Sequence, residues 1–280
     1  PRSCRILLYC GDIADVNGER VVSTIGRSLI ESVRSSGAFV LFTLRALIAS
    51  VTRPFFFGEL VRQVHAIGIR SLLLTSTVGF CVGLVFAMQT VNHLKRFGAG
   101  AYLAAVVGLA IVSELGPVLT GIMVAARAGA GIGAEIGSMK VTRQVDALRV
   151  GAIDPMKFLV ATRVLACVIV LPILTVIADV LGIIGGWIIG VTMGNIAPME
   201  YLNATYRFVR AIDVFPGLFK TLFFGLVIGL LACFQGFRTK GGTEGIGIST
   251  TLTVQRAAIA VAICDVFLTR LLVPLMSTLP

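Results

Sequence analysis

The segment SLLLTSTVGFCVGLVFAMQTV, Ser71–Val91, contains no charged residue. A helix needs about 20 mostly apolar residues to cross the hydrocarbon core of a bilayer, because its backbone polar groups must all be satisfied within the segment. Ser71–Val91 meets both conditions, and we therefore predict that it spans a membrane. Equally apolar segments recur further along the chain, so the prediction extends to the whole fold.

Four further segments meet or approach the same requirement: Ala101–Ala126, Val164–Gly194, Thr221–Phe237 and Ala257–Met276. Thr221–Phe237 is near the minimum length unless Val214–Phe219 extends it across Lys220. The 280 residues are 56% hydrophobic and only 14% charged, with a mean hydropathy of +0.96, whereas a soluble domain is about one quarter charged. The composition excludes an ordinary soluble protein and predicts an all-α integral membrane protein with five transmembrane helices.

The region before the first span predicts a helix that lies on the membrane surface. Apolar residues of Ile25–Ser50 recur at helical spacing with arginines between them, which is typical of an interfacial amphipathic helix. A short soluble helix is the alternative. Pro54 would then break the helix, and Phe55, Phe56 and Phe57 would anchor the chain at headgroup depth. We divide the chain into a helical N-terminal cytoplasmic or interfacial region, 1–69, and a five-span domain, 70–280.

The distribution of lysine and arginine predicts the orientation. Eighteen of the 24 lie before the first span or in the second and fourth connections, which five spans place on one side, and five lie on the other. Because positive residues favour the cytoplasm, we expect a cytoplasmic N-terminus and an outer C-terminus. The net charge of +10 then reflects cytoplasmic loops and anionic headgroups, and we expect no nucleic-acid partner.

The connection between the second and third spans contains a candidate functional segment. It reads AARAGAGIGAEIGSMKVTRQVDALRVGAIDP over Ala125–Pro155. Its glycines permit close helix packing or sharp turns, and Ser138–Val150 suits a short helix with one apolar side. Asp154 and Pro155 are typical of the start of the third span. The short helix needs a surface to pack on, which is either another protein or the membrane helices of this chain.

Glu114 is the strongest single candidate for a functional residue, because a carboxylate within a span generally faces a cavity or a partner. Gly116 and Pro117 follow it and weaken the local helix. A structural ion pair or a protonated, hydrogen-bonded glutamate is the alternative. Asp179, Asp265 and Arg270 also lie in predicted spans and are weaker candidates, since each could pair within the bundle or lie close to an interface.

Glycines recur every four residues along the third span, at Gly182, Gly186, Gly190 and Gly194. Such a strip allows another helix to approach closely. The sequence leaves open whether that helix belongs to a second copy or to the same chain.

Motifs of catalysis and of metal or nucleotide binding are missing from the sequence. There is no GxxxxGK[ST] phosphate loop, no HExxH and no GxSxG, and the cysteines show no metal or disulfide spacing. We therefore expect no catalytic residue, metal site or cofactor in this chain. Any energy-dependent activity of this chain would have to be driven by another protein chain or by an ion gradient.

The stretch SELGPVLTGIMVAARAGAGIGAEIGSMKVTRQVDALRVGAIDP, Ser113–Pro155, resembles the signature region of the MlaE/YrbE permeases, the membrane subunits of MCE-type lipid ABC transporters. The similarity covers most of the chain and includes PILT at Pro172–Thr175. Two positions depart from the family pattern, since Arg143 stands where Glu is common and Thr162 where Pro is common. Arg143 reverses a charge that a partner would have to match.

The resemblance implies a homodimer that encloses a phospholipid cavity, a cytoplasmic ABC ATPase that binds ATP and Mg, and a periplasmic MCE-domain protein. By analogy, Glu114 lies beside the lipid cavity, with Leu84, Val85 and Met88 as further lining. Ser138–Val150 becomes the helix that couples to the ATPase, through the residues Lys140, Val141, Thr142, Arg143, Gln144, Asp146 and Leu148.

The implied location is the bacterial inner membrane, because no transit peptide or signal peptide is visible, although Pro1 indicates that the natural chain begins earlier. Two alternatives remain. An ion-coupled carrier or channel would relay protons through Glu114, Asp179 and Asp265, and a structural scaffold would leave Glu114 unexplained.

Overall fold

All regular secondary structure in the described part of the chain is helical. The computed structural model describes residues 34–35, 37–50, 52, 56–96 and 100–277, with the side chains of 101, 211 and 273–277 excepted. The chain divides into two compact units, Pro1–Arg45 and Ala46–Pro280. The membrane-spanning helices and all sites described below belong to the second unit.

The helices are α1 (Gly37–Ser50), α2 (Phe57–Arg96), α3 (Leu103–Val141), α4 (Gln144–Val150), α5 (Met156–Thr192), α6 (Pro198–Phe208), α7 (Ala211–Arg238) and α8 (Gly242–Ser277). Five of them, α2, α3, α5, α7 and α8, are long and apolar enough to cross a membrane. The prediction of an all-α protein with five spans is confirmed.

The spanning helices are longer than the apolar segments of the sequence. Helix α3 continues to Val141, although a loop was expected from Arg127 onward. Gly133 and Gly137 explain this correction, because a Cβ atom at either position would lie within 3 Å of a threonine hydroxyl, that of Thr253 in α8 and that of Thr239 directly after α7 respectively. The glycines thus keep the end of α3 helical by letting it pack closely between two other helices.

The tightest crossing in the described bundle joins α2 to α5. A Cβ atom on Gly83 would overlap the carbonyl group of Gly182, and a Cβ atom on Gly79 would lie 2.8 Å from the carbonyl oxygen of Ala178. Backbone therefore meets backbone at this crossing, as in small-residue packing between membrane helices. The glycine strip of α5 is accordingly an intrachain contact from Gly182 to Gly190, and it is not free for a second copy.

A short helix that the sequence did not predict closes the end of the bundle between α5 and α7. Helix α6 has one buried residue, Tyr201, which is 1% exposed. Its ring lies 2.7 Å from the position that a Cβ atom on Gly190 would occupy. Burial raises the pKa of the Tyr201 hydroxyl to about 12. Pro198 at the start of the helix and the apolar residues Met199, Tyr201 and Leu202 were signals for α6 that the sequence-based prediction did not use.

The predicted N-terminal features are described only in part. Helix α1 covers the second half of the predicted interfacial segment, and its interfacial character is not confirmed. Residues 25–33, Pro54 and Phe55 lie outside the described residues. Phe56 packs edge-on against Phe158 of α5 at 5.1 Å between ring centroids, and Phe57 is 69% exposed. The boundary predicted at 69/70 falls inside α2, which is one continuous helix.

Candidate functional site

The helical turn that carries Glu114 is widened. Residues Ile111–Leu115 form a π-helical turn in which the Gly116 N–H donates to the Ile111 carbonyl. Pro117 accounts for the irregularity, since proline has no N–H to donate to the carbonyl four residues earlier, that of Ser113. The side chain of Lys220 supplies a donor instead, with its Nζ 3.3 Å from the Ser113 oxygen. The ELGP sequence thus creates an open carbonyl beside an intramembrane carboxylate.

Lys220 also brings two carboxylates together. Its Nζ lies 2.8 Å from Oε2 of Glu114 on α3 and 3.3 Å from Oδ1 of Asp265 on α8. Thr269, one turn beyond Asp265, donates its hydroxyl to Glu114 Oε1 at 3.3 Å. We call Glu114, Lys220, Asp265 and Thr269 the charge cluster. It joins α3, α7 and α8 at one level of the bundle.

Exposure distinguishes the members of the charge cluster. The Lys220 side chain is 2% exposed and that of Asp265 17%, whereas the Glu114 side chain is 44% exposed. Glu114 therefore presents its carboxylate to the space outside this chain at membrane depth. A carboxylate facing hydrocarbon costs a few kcal/mol on insertion scales, so the exposed side of Glu114 requires a polar or hydrated neighbour.

The sequence analysis missed Lys220. It placed this lysine in the connection before the fourth span, on the same side as Lys95, whereas α7 begins at Ala211 and carries Lys220 inside the bundle. The extension across Lys220 that we considered is therefore confirmed. The signal was available: two carboxylates in predicted spans need a cation, and Lys220 adjoined a predicted span.

Asp179 does not join the charge cluster. Its carboxylate packs against Gly116, where any side chain larger than hydrogen would overlap it. Asp179 is 6% exposed, and its Oδ1 has no hydrogen-bond partner among the residues that the structure describes. A proton relay that uses Glu114, Asp179 and Asp265 together would have to pass between separate sites, although Glu114 and Asp265 do share Lys220.

The three proposed cavity residues of α2 differ in their surroundings. Leu84 packs against a buried cluster that includes Ala87, Val107 and Tyr201. Val85 and Met88 are 54% and 42% exposed. Glu114 instead contacts residues of α7 and α8. A lipid-lining role for the α2 residues stays a prediction.

The predicted coupling segment consists of two helices. Ser138–Val141 forms the last turn of α3, and α4 begins at Gln144 after a turn in which Arg143 adopts a left-handed conformation, with φ of 58°. Asp146 connects the two parts, since its Oδ1 lies 3.9 Å from Lys140 Nζ across the turn; within α4 the same oxygen lies 3.7 Å from Arg149 Nη1. Both ion pairs are partly exposed, so they contribute little to the stability of the turn.

Helix α4 packs against the rest of the chain through one fully buried residue. Val145 is fully buried, whereas the polar residues of the segment, Thr142, Arg143, Gln144 and Asp146, are exposed. Val150 is 91% exposed and Leu148 is half-buried. Packing on the chain's own helices thus explains one position of the segment and leaves the rest of its surface uncovered in the described chain.

A second ion pair, with one buried and one half-exposed partner, lies near the same end of the bundle. Arg163 of α5 is 1% exposed, and its Nη2 lies 2.8 Å from Oε1 of Glu135 on α3. Its Nη1 donates to the Leu159 carbonyl at 3.1 Å. The pair ties the last turns of α3 to the first turns of α5, on either side of α4. The sequence analysis did not single out this pair.

Five spanning helices with a charge cluster between three of them and an exposed short helix at one end define a polytopic α-helical membrane protein. Residues 60–271 match the family described as Permease MlaE. The chain belongs to the MlaE permease family.

Curated relatives agree with this assignment. A probable ABC transporter permease protein of Rickettsia typhi is 38% identical over 252 residues, which cover 90% of this chain and 97% of the relative. The intermembrane phospholipid transport system permease protein MlaE of Haemophilus influenzae is 33% identical over the same shares of both chains. The chloroplastic protein TRIGALACTOSYLDIACYLGLYCEROL 1 of Arabidopsis thaliana is 34% identical over 208 residues, 73% of this chain and 59% of the relative.

Proposed function

We propose that this chain is the membrane subunit of an ABC transporter that moves phospholipid, or a related lipid, between the inner membrane and a periplasmic MCE-domain protein. ATP and Mg would be bound by a separate cytoplasmic ATPase. Membership of the MlaE permease family, with a Haemophilus relative described as a phospholipid transport permease, is the observation that carries this proposal.

The charge cluster supports a polar cavity beside Glu114. A phospholipid headgroup must be accommodated away from hydrocarbon while the lipid moves, because its charges are as costly there as those of a side chain. Glu114 offers a carboxylate that is 44% exposed and fixed by Lys220 and Thr269. In this proposal Glu114 contacts or hydrates the headgroup, with Leu84, Val85 and Met88 beside the lipid.

A second copy of the chain would enclose that cavity. The exposed face of α8 adjoining Asp265 and Thr269 is apolar, and its most exposed residues are Ile259, Ile263, Val266, Phe267 and Leu271. An apolar face can be covered by lipid, but the half-exposed Glu114 cannot. A homodimer that meets around α8 would keep both copies of the charge cluster in one hydrated space between them.

Coupling to the ATPase would use the exposed surface of α4 and the turn before it. Arg163 and Glu135 tie the ends of α3 and α5 together, so a displacement of α4 would move both helices as one body. Glu114 of the charge cluster belongs to the same helix, α3. Motion at α4 would thus reach Glu114 through a continuous helix.

We expect Glu114→Gln to lower ATP-dependent lipid transfer by about tenfold, because the variant removes the charge of a hydrogen-bonded carboxylate while it keeps the side-chain volume. The measurement is transfer of fluorescent phospholipid from liposomes that contain the reconstituted complex. Glu200→Gln, an exposed glutamate on α6, is the matched control and should transfer at the normal rate. Unchanged transfer by Glu114→Gln in an assembled complex would remove Glu114 from the mechanism.

Charge reversal at the coupling turn, by Asp146→Lys or Lys140→Glu, should reduce both copurification of the ATPase and lipid-stimulated hydrolysis. The exchanged variant Lys140→Asp/Asp146→Lys restores an opposite-charge pair at 140 and 146 and keeps the net charge, but it exchanges the positions of the two surface charges. If the exchange restored full hydrolysis, the two residues would act only within the turn and the coupling assignment would fail. Glu200→Lys serves as the control for an unrelated reversal.

The native complex provides the most direct test of the proposal as a whole. Mild-detergent purification followed by mass spectrometry should recover an ATPase, an MCE-domain protein and stoichiometric phospholipid. An ion-coupled carrier is the competing function, favoured by the two carboxylates that share Lys220. Recovery of the chain without ATPase or lipid, together with transport driven by a pH gradient, would favour that carrier.

A further inference from the structure

A basic pocket lies between the end of α7 and the beginning of α8, away from the charge cluster. It has a volume of about 230 Å³, and its polar lining consists of Gln235, Arg238, Thr239, Lys240, Ser249 and Arg256. Three of these residues are cations, and none of the residues that line it in the described chain is acidic. Glu244, in the first turn of α8, is exposed and is not among the lining residues. The pocket thus concentrates positive charge in a concave site.

Buried polar groups build the base of the basic pocket. The Gln235 side chain is 5% exposed and adjoins Arg256; with the amide assigned so that its oxygen faces the guanidinium, it accepts from Nη1 at 2.8 Å and from Nε at 3.2 Å. Ser249, 7% exposed, donates its hydroxyl to the Gln235 backbone carbonyl at 2.9 Å. The Arg238 guanidinium lies 5.2 Å from the centre of the Phe234 ring. Both arginines are therefore held by neighbours at the rim of the pocket.

The basic pocket lies at the depth of lipid headgroups. The most apolar part of α7 ends at Phe237, directly before Arg238, and that of α8 begins at Ala257, directly after Arg256. Each arginine therefore lies where the apolar part of its helix ends, on the same side of the membrane. Arg256 precedes Asp265 by nine residues, which is about 14 Å along a helix. On α7, Arg238 follows Lys220 by eighteen residues, which is about 27 Å along a helix. The basic pocket and the charge cluster are therefore different sites.

The basic pocket opens on the same side of the membrane as α4. Thr239, which lines it, packs on Gly137 at the end of α3, one turn before α3 leads toward α4. By the lysine and arginine distribution this side is the predicted cytoplasmic one, where the leaflet carries anionic lipids. Basic pockets between membrane helices on that side are typical binding sites for anionic lipid headgroups.

The apolar lining favours a lipid over a soluble anion. Ile248 and Leu252 also line the pocket and are 57% and 36% exposed. A free phosphate would leave these side chains uncovered, whereas a phospholipid can place its phosphate on the arginines and its glycerol and first methylenes on the two aliphatic residues. We propose that the basic pocket binds the phosphate of an anionic phospholipid from the leaflet on the α4 side and so fixes the ends of α7 and α8.

The first test measures lipid preference. The purified protein is equilibrated with nanodiscs of phosphatidylglycerol and phosphatidylcholine, and its retained lipids are counted by native mass spectrometry. We expect the native chain to retain phosphatidylglycerol preferentially, and Arg256→Gln to weaken that retention about fivefold, the effect of about one surface cation. Arg256→Lys should retain most of the preference. Arg62→Gln removes an equally positive, 70% exposed side chain at the start of α2 and should change nothing.

Three outcomes would overturn the proposal. Equal retention of the two lipids by the native chain, or an equal loss in Arg256→Gln and Arg62→Gln, would show that the pocket does not select an anionic headgroup. Displacement of the bound lipid by millimolar inorganic phosphate, with no lipid preference remaining, would assign the pocket to a soluble anion. The test does not depend on the transported cargo, so its failure would leave the proposed function intact.

A second measurement identifies the occupant in the native membrane. Photoreactive benzoylphenylalanine placed at Ile248 is irradiated in cells, and the chain is then purified and weighed. The expected adduct has the mass of an anionic phospholipid and decreases in the Arg256→Gln background. An adduct with a protein would instead show that an acidic partner surface fills the basic pocket, and it would overturn the lipid assignment.

Discussion

Lys220→Met is expected to lower the free energy of unfolding by about 3–5 kcal/mol, the cost of removing one partner from a buried ion pair. Lys220 is 2% exposed and neutralises two carboxylates, so the variant leaves Glu114 and Asp265 facing each other without a cation. The Ser113 carbonyl beside Pro117 also loses its donor. The measurement is denaturant-induced unfolding in detergent, followed by the yield of assembled complex.

Neutral variants distinguish stability from function in the charge cluster. The triple variant Lys220→Met/Glu114→Gln/Asp265→Asn removes all three charges and should recover most of the stability, because no uncompensated charge remains. Its lipid transfer should stay low if the exposed carboxylate of Glu114 serves the headgroup. A triple variant that transports normally would show that the cluster is structural only, and a stable Lys220→Met would contradict the ion-pair account.

Gly83→Ala is the second substitution with a large expected effect. A Cβ atom at this position would overlap the Gly182 carbonyl, which is backbone and cannot rotate away. Helices α2 and α5 would have to separate, at a cost of about 1–3 kcal/mol typical of overpacked sites. The change is measured as a lower midpoint of unfolding in detergent, with loss of the complex at elevated temperature.

Gly131→Ala provides the matched control for Gly83→Ala. Gly131 lies in α3, and no atom stands within 4 Å of the position of an added Cβ. Alanine is favoured over glycine within a helix by about 0.5–1 kcal/mol, so this variant should be as stable as the native chain or more so. If both variants behaved alike, the close crossing of α2 and α5 would not limit stability.

The sequence predicted the number of spans and their helical type because hydropathy depends only on composition along the chain. Ser71–Val91 is a span in any arrangement of the others. The same reasoning placed the limits of the spans too early or too late. Helix α3 continues through Gly133 and Gly137 because Thr253 of α8 and Thr239, directly after α7, pack on these glycines, and a contact between distant residues leaves no mark on local hydropathy.

The sequence identified Glu114 of the charge cluster but not the contacts that Glu114 makes. Glu114 stood out because a charge within a span requires an explanation, and the ELGP sequence indicated a weakened helix. The sequence did not show that Lys220 and Asp265 belong to the same site as Glu114, since Lys220 adjoined one predicted span and Asp265 lay in another. Only the packing of α3, α7 and α8 shows that one ammonium group serves both carboxylates and the carbonyl freed by Pro117.

The sequence by itself determined that this chain is a five-span helical membrane protein, that Glu114 is unusual, and that Ser113–Pro155 resembles one permease family. Tertiary structure alone decided that the glycine strip of α5 is occupied by α2 and α6, that Asp179 is separate from the charge cluster, and that the basic pocket exists. The physical reason is that insertion into a bilayer is governed by local apolarity, whereas the partner of a buried charge or a glycine is set by which helices are neighbours.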